Sequence, residues 1–377
     1  MNPTDIFNYF HERQAGILEL IREIVDIESP SHDQPRSREV VDWVERQAYA
    51  TGADISVERI SVADGDHLII RTFASETKPF LLLGHTDTVH PAGTNLQNPT
   101  RIDGDRFYGC GIFDMKSGIV LMLEALRFFA VSGKRPPRPI TILLSCDEEV
   151  GSFTGRPLVE REAANAERCY VFEPSANGSV KTGRKGTGMF TLRAHGVPAH
   201  AGLEPEKGAN AIVELSRQIE RINTIANAGL GTTVNVCTIK GGTTSNVIPE
   251  HATSEIDVRF SKMIEAERVD AAFKGLTAFD DRVTLELSGG INRPPMERTD
   301  AVVDLYEKAR ALATSFGYDL GETQVGGASD GNFVGALSVP VLDGLGITGD
   351  GAHTLNEHIL VSDIAKRATL VSLLLTK

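Results

Sequence analysis

Two hydrophobic periods alternate along the first half of the chain. Ile17, Leu18, Ile21, Ile24 and Val25 recur at helical spacing, as do Val40, Val41 and Val44, and both sets precede the extended apolar runs HLIIRTF and PFLLLGHTDTV. A helix GIVLMLEALRFFAV follows, then the apolar run PITILLSC, a polar helix rich in Glu and Arg, and the short run CYVF. Apolar strands bounded by helices predict an α/β layer architecture whose sheet is largely buried. From about Arg184 the texture changes. MFTLRAHG, TTVNVCTIKGG, TSEIDVRFS and VTLELSGG read as strands of alternating type, interleaved with the helix NAIVELSRQIERI and a second helix near Glu265 to Thr277. Four such strands and two helices predict a small α+β sandwich of the ferredoxin-like kind. After INRPPM the first texture returns, with the helix AVVDLYEKARALATSFG, the strand PVLDGLG and a last helix. The expected organisation is therefore a smaller domain, residues 184–294, inserted into a larger one built from residues 1–183 and 295–377.

Length agrees with two domains, because 377 residues exceed the ~250–300 at which a single core stops growing. A formal charge of −13 excludes partners that require a basic face, namely nucleic acid and anionic lipid. No apolar run reaches the ~18–20 residues of a membrane span. The N-terminus, MNPTDIFNYFHERQAG, has neither the basic start nor the apolar stretch of a secretory signal, so the expected location is the cytoplasm. Cys110, Cys146, Cys169 and Cys237 are scattered without a CxxC pair, which predicts free, mostly buried thiols rather than a disulfide framework or a thiolate metal site. The partner this composition suits is a small substrate or a metal.

Five segments end in side chains able to ligate a metal, each at the end of an apolar strand or in the loop after it, where open α/β sheets place their sites. They are His85 and Asp87 in LLLGHTDTVHP, Asp114 in YGCGIFDMKSG, Glu148 and Glu149 in LLSCDEEVGS, Glu173 in YVFEPS, and His353 in GAHTLNEH. Imidazoles and carboxylates without thiolates suit zinc, cobalt or manganese in a hydrolytic site. The acidic triplet Asp147, Glu148 and Glu149 follows a run that should be buried, and buried acids must be paired or bound to metal.

The ordered set GHTDTV, GCGIFDMKSG, DEEVGS, FEPS and a late histidine followed by Asn-Glu resembles the dinuclear zinc peptidases that include glutamate carboxypeptidase, acetylornithine deacetylase and succinyl-diaminopimelate desuccinylase. The likeness spans essentially the whole chain, and DEEVGSFTGR to FEPS is nearest the glutamate carboxypeptidase branch. It implies a mixed-sheet zinc-peptidase catalytic domain with the inserted domain serving as a dimerisation lid. It also implies two divalent ions per chain, one held by His85 and Glu173, the other by Glu149 and His353, with Asp114 bridging them and the peptide bond after Asp114 cis. Asp87 is expected behind His85, fixing its tautomer, and Glu148 is expected as the general base toward a water, a bridging hydroxide, activated between the ions. In VPAHAG, His200 matches the histidine that reaches into the neighbouring subunit's site of a homodimer. Arg259 in EIDVRF and Asn246 in TTSNVIP match positions that hold a substrate carboxylate, and the loop GGASDGN, with Gly327, Ser329 and Asp330, is expected to line the pocket. Cys110 and Ser117 depart from the family's usual arginine and glycine without touching a ligand position. His90, His195, His251 and His358 match no motif position and read as structural.

The leading expectation is a hydrolase that cleaves an amide next to a free α-carboxylate, with a small peptide or N-acyl amino acid as substrate. The alternatives are a dedicated N-acyl-amino acid deacylase and, from another class, a catalytically silent dimeric binding protein. Retention of every ligand and of Glu148 favours the enzyme.

Overall fold

The fully buried strands Phe80–His85 and Ile140–Ser145 pair in parallel at the centre of a six-stranded sheet. The computed structural model describes residues 2–377. On one side of Phe80–His85 lies Ile140–Ser145, on the other Arg168–Val171, again parallel, and then the short strand Val341–Leu342. Asp66–Thr72 and Ile55–Ser61 extend the opposite edge as an antiparallel pair. The central runs are apolar throughout because both faces of the sheet are covered. One hydrophobic core gathers Leu82, Ile142 and Leu144 of the strands with Ile17, Ile21 and Ile24 of the helix Pro3–Asp26, Leu121 and Leu126 of Ser117–Ser132, and Leu370 and Leu374 of Ile364–Leu374.

Local chemistry sets where the helices begin. Asn2 accepts a hydrogen bond from the Thr4 amide ahead of Pro3, and Asp33 accepts one from the Arg36 amide ahead of Pro35. Both combine a side-chain cap with a proline at a position whose amide has no helical partner. The helix Ser117–Ser132 buries nearly its whole circumference, so its apolar residues run continuously.

The chain divides into two units. The first comprises residues up to Gly183, Arg298–Gln324 and Ser329–Lys377; the second comprises Arg184–Glu297 and Val325–Ala328. The boundary near Glu297 and the capture of Val325–Ala328 by the second unit differ slightly from the bounds expected from sequence. Lys185 donates its amide to Val325, and Arg184 donates its guanidinium to the Gly327 and Ala328 carbonyls, which explains the capture. Within the second unit the strands run in the order Thr233–Gly241, His251–Phe260, Gly186–His195, Thr284–Arg293, all antiparallel, with helices Ala211–Asn223 and Met263–Lys274. That order is the ferredoxin-like one. Two small sheets had no counterpart in the sequence reading: Val180–Arg184 with Glu322–Val325, and a four-stranded set formed by Arg101–Asp103, Arg106–Tyr108, Gly349–Asp350 and His358–Leu360. Their strands are mostly two to five residues long, too short to show a period. Among the described residues, no helix is long and apolar enough to cross a membrane. Cys110, Cys146 and Cys169 are buried free thiols and Cys237 is exposed.

A buried ionic network fastens the last helix to the larger unit. Arg367 is fully buried and reaches Asp363, the Gly344 carbonyl and the Gly178 carbonyl; Asp363 in turn accepts from Tyr318 Oη at 2.8 Å and from the Thr348 amide at 2.8 Å. Burial alone would raise the Asp363 pKa, but the Arg367 guanidinium and Thr348 outweigh it and hold the carboxyl below its ordinary range. A depressed folded pKa adds stability above the unfolded value of ~3.9 and loses it as pH falls through the folded value. Asp363→Asn is therefore expected to destabilise by on the order of 3 kcal/mol at pH 7, since it leaves Arg367 buried without its counter-charge. The difference in thermal unfolding between wild type and variant should begin to shrink only as pH falls below about 4.

Candidate metal centre

Register brings three of the predicted segments to one edge. His85 pairs with Ser145 across one parallel ladder, and Leu83 pairs with Val171 across the other. Strands in parallel advance together, so His85, the turn after Ser145 and Glu173 emerge side by side at the carboxyl end of the sheet. His85 Nε2 lies 3.4 Å from Glu173 Oε1 and 3.2 Å from Asp114 Oδ1. The other carboxylate oxygen of Asp114 lies 3.4 Å from His353 Nε2, which is 3.3 Å from Glu149 Oε2. Asp114 thus stands between two sets, His85 with Glu173 and His353 with Glu149, offering one oxygen to each. Ligand atoms of Glu148 join those of His85 and Glu173 within 4.8 Å of one another.

The backbone supports this arrangement. Asp114–Met115 is a cis peptide, and His353 holds a positive φ of 65°. Met115 packs beneath the end of the central strand, where a Cβ on Gly84 would come within 2.4 Å of Met115 Cε. The His85 amide faces Met115 Sδ at 3.3 Å. Only glycine leaves room for that sulfur.

The acidic triplet divides into different tasks. Asp147 turns away from the cluster and accepts from the Thr154 amide and hydroxyl, both at 2.7 Å, and from the Gly155 amide. Glu148 and Glu149 keep the site. Asp87 is buried behind His85, with its backbone carbonyl 2.9 Å and its carboxylate 3.4 Å from His85 Nδ1. The carboxylate also accepts from the amides of Glu148 at 3.2 Å and Glu149 at 3.1 Å and from Ser31 Oγ at 2.8 Å. It therefore holds the backbone of the two site glutamates.

Glu357 was missed as a participant. It is fully buried and accepts from the amides of Gly111, Phe113 and Asp114 at 2.8–2.9 Å, while His90 Nε2 lies 2.7 Å away. His90, read as structural, is structural in this specific sense: it completes the carboxylate that fixes the Asp114 loop. The signal was the Asn-Glu after His353, visible in the sequence but without an assigned role.

The electrostatics of the cluster fit bound cations. Hydrogen bonds to Asp114 and Glu149 raise the His353 pKa to about 10 against the opposing effect of burial. Burial opposes protonation of His85 too, yet Asp114, Asp87 and Glu173 lift it well above an ordinary imidazole. Burial would raise Asp114, but the two imidazoles hold it below the carboxylate range. Burial raises Glu149, and its Oε1 is enclosed with no hydrogen-bond partner. A cluster that pulls protons onto two imidazoles and leaves an enclosed carboxylate oxygen unsatisfied is one that calls for cations. Its N and O donors fit divalent ions of the zinc, cobalt or manganese type.

His200, Asn246 and Arg259 belong to the second unit. His200 Nδ1 accepts from the amides of Gly202 and Leu203, and the Ala201 amide donates to the Asn246 carbonyl, so those two loops are adjacent. Arg259 is clamped to Asp257 two residues earlier on its own strand, by three contacts of 2.8–3.1 Å. Ser329 departs from its expected role. It is fully buried, its hydroxyl donates to Asp343 at 2.8 Å and its amide to Asn332, so it shapes the GGASDGN turn from within rather than facing a pocket. Asp330 likewise accepts from Ser145 Oγ and Ser152 Oγ.

The peptidase family M20/M25/M40 model matches residues 81–377. The chain belongs to that family. It is 30% identical over 380 residues to carboxypeptidase G2 of Pseudomonas sp. (strain RS-16), covering 98% of this chain and 91% of that protein. It is 31% identical over 313 residues to succinyl-diaminopimelate desuccinylase of Verminephrobacter eiseniae, covering 77% of each. The crystal structure of aminopeptidase PepT from Bacillus cereus shares the fold, with a TM-score of 0.78 over 96% of this chain and 98% of that one at 22% identity. The M20 protein described here is thus a metal-dependent hydrolase of the peptidase and amidohydrolase kind.

Because Glu357 holds three amides of the loop that carries Asp114, Glu357→Gln should lower metal affinity or kcat by ~10–100-fold in this M20 protein, as loss of an outer partner of a metal ligand does. Metal titration and kinetics on the folded variant check this. A variant with wild-type values would mean the loop holds itself.

Proposed function

We propose that this M20 protein is a carboxypeptidase-like hydrolase that cleaves an amide next to a free α-carboxylate, using two divalent ions, most simply zinc. The observation that carries the reading is Asp114, whose two oxygens face His85 at 3.2 Å and His353 at 3.4 Å. One ion would be held by His85 and Glu173, the other by Glu149 and His353, with Asp114 between. Bound ions would supply Lewis-acid polarisation of the scissile carbonyl and a lowered pKa for water. The chain's own residues do the rest. Glu148, buried beside His85 and Glu173, takes the proton from the attacking water and returns it to the leaving nitrogen. Asp87 fixes the Glu148 and Glu149 amides so that both carboxylates keep their aim. The near full-length similarity to carboxypeptidase G2 supports a substrate with a free carboxylate.

Arg259 and Asn246 are the proposed carboxylate anchors. Arg259 now grips the Asp257 carboxylate edge-on through Nε and Nη2, and a substrate carboxylate would take the same bidentate geometry. An N-acyl-amino acid deacylase remains the second reading, favoured by the similarity to succinyl-diaminopimelate desuccinylase. We also propose a homodimer through the second unit, with His200 completing the partner's site and stabilising the developing oxyanion. Exposed apolar side chains at Leu203, Val213, Ile239 and Val247 of that unit support this.

Glu148→Gln is expected to lower kcat by ~10²–10⁴-fold while metal analysis still finds about two ions per chain. Mixing its inactive chains with His200→Ala chains should restore part of the activity; no recovery after verified subunit exchange would count against a shared site. For the substrate, a panel of folate-type glutamates, acetylornithine, N-succinyl amino acids and dipeptides separates the two readings. Under the carboxypeptidase reading, Arg259→Ala raises KM for C-terminal carboxylates far more than for their amides. Equal loss on both would remove Arg259 from substrate binding.

A further inference from the structure

In the second unit, His195 and His251 form a direct cross-strand pair on the antiparallel ladder between Gly186–His195 and His251–Phe260. Phe190, Leu192 and Ala194 on one strand and Ala252, Ser254 and Ile256 on the other are buried. Both histidines therefore stand on the opposite, solvent-facing side of the sheet. Their rings meet at 78° with Nδ1 3.2 Å from Nδ1. Each ring also turns its other nitrogen to a carboxylate. His195 Nε2 is 3.4 Å from Glu286 Oε2 on the next strand, and His251 Nε2 is 3.7 Å from Glu250 Oε2.

A ring whose Nε2–H faces a carboxylate, as His195 Nε2 faces Glu286, presents its lone pair at Nδ1. With the two Nδ1 atoms 3.2 Å apart, a proton or a cation can be shared between them. At ~2.0–2.1 Å from each nitrogen, the observed separation subtends an angle of about 100° at the ion, close to tetrahedral. The outer carboxylates are also what a metal-binding histidine uses to fix its tautomer and raise its basicity.

We propose that His195 and His251 form an accessory site for one transition-metal ion of the zinc, nickel or copper class, the ions that imidazole pairs favour. Water fills the remaining positions, because both rings are partly exposed, 40% and 66% by side chain. The ion clasps the ends of two neighbouring strands. This site is separate in sequence and unit from the His85–His353 cluster and does not depend on the reading of that cluster.

Calorimetric titration of metal-loaded protein with Zn²⁺ tests the proposal, with Ni²⁺ as a second probe. Wild type should take up one ion per chain beyond those of the His85–His353 cluster. His195→Ala and His251→Ala should each abolish that event, Glu286→Gln should weaken it, and all three should keep wild-type circular dichroism. Added Zn²⁺ should raise the Tm of wild type but not of the double variant, since ligand bound only to the folded state stabilises it. Glu149→Ala, which disturbs the other cluster, should retain the accessory event. If the extra ion persists in the double variant, or no extra ion binds to wild type and only a proton sits between the rings, the proposal fails.

Discussion

Parallel pairing of one strand with two neighbours is the constraint on which this molecule depends. Phe80–His85 is held in fixed register by Ile140–Ser145 and by Arg168–Val171, and all three are buried because helices cover the sheet. Hydrophobic burial, at ~25 cal/mol per Å² of apolar surface, thereby sets the level at which three chains of side chains leave the sheet. An imidazole and the acidic groups of two following turns end up beside one another without any attraction between them being needed. A one-residue slip in either ladder would turn every side chain of a strand to the opposite face.

What the sheet cannot fix, buried carboxylates do. Asp87 holds the amides of Glu148 and Glu149, Asp147 closes the turn after them, and Glu357 holds the amides of Gly111, Phe113 and Asp114. Amides left unpaired in such a place would cost ~1–3 kcal/mol each. The same residue type is thus used for opposite ends at this edge: some carboxylates are satisfied by backbone and stay rigid, while Asp114, Glu149 and Glu173 face imidazoles and remain available. Cation demand is concentrated in the second group.

Much of this was legible in the sequence because it rests on runs and spacing. The apolar strands, the change of texture near Arg184 and the five ligand-bearing segments could be read from residues that lie next to one another. The finer division of labour could not. Nothing local distinguishes Asp147 from Glu148, since the difference is made by Thr154 and Gly155 folding back. Ser329 was expected to line the pocket with the rest of the GGASDGN loop, but Asp343, fourteen positions away, takes its hydroxyl. Glu357 was in view beside His353, yet its partners at Gly111 to Asp114 lie more than two hundred residues upstream. The two small sheets were invisible for a simpler reason: strands of two to five residues carry no period to detect.

The contact between Gly84 and Met115 has a consequence for how such a chain can vary over time. A Cβ at 84 would overlap the thioether of Met115, so neither position is free to drift alone: a larger residue at 84 is admissible only after a shorter one has arrived at 115. Between those two events lies an intermediate with a gap in the core where the Met115 thioether had packed. Lineages should therefore change the two positions as a pair or leave both untouched.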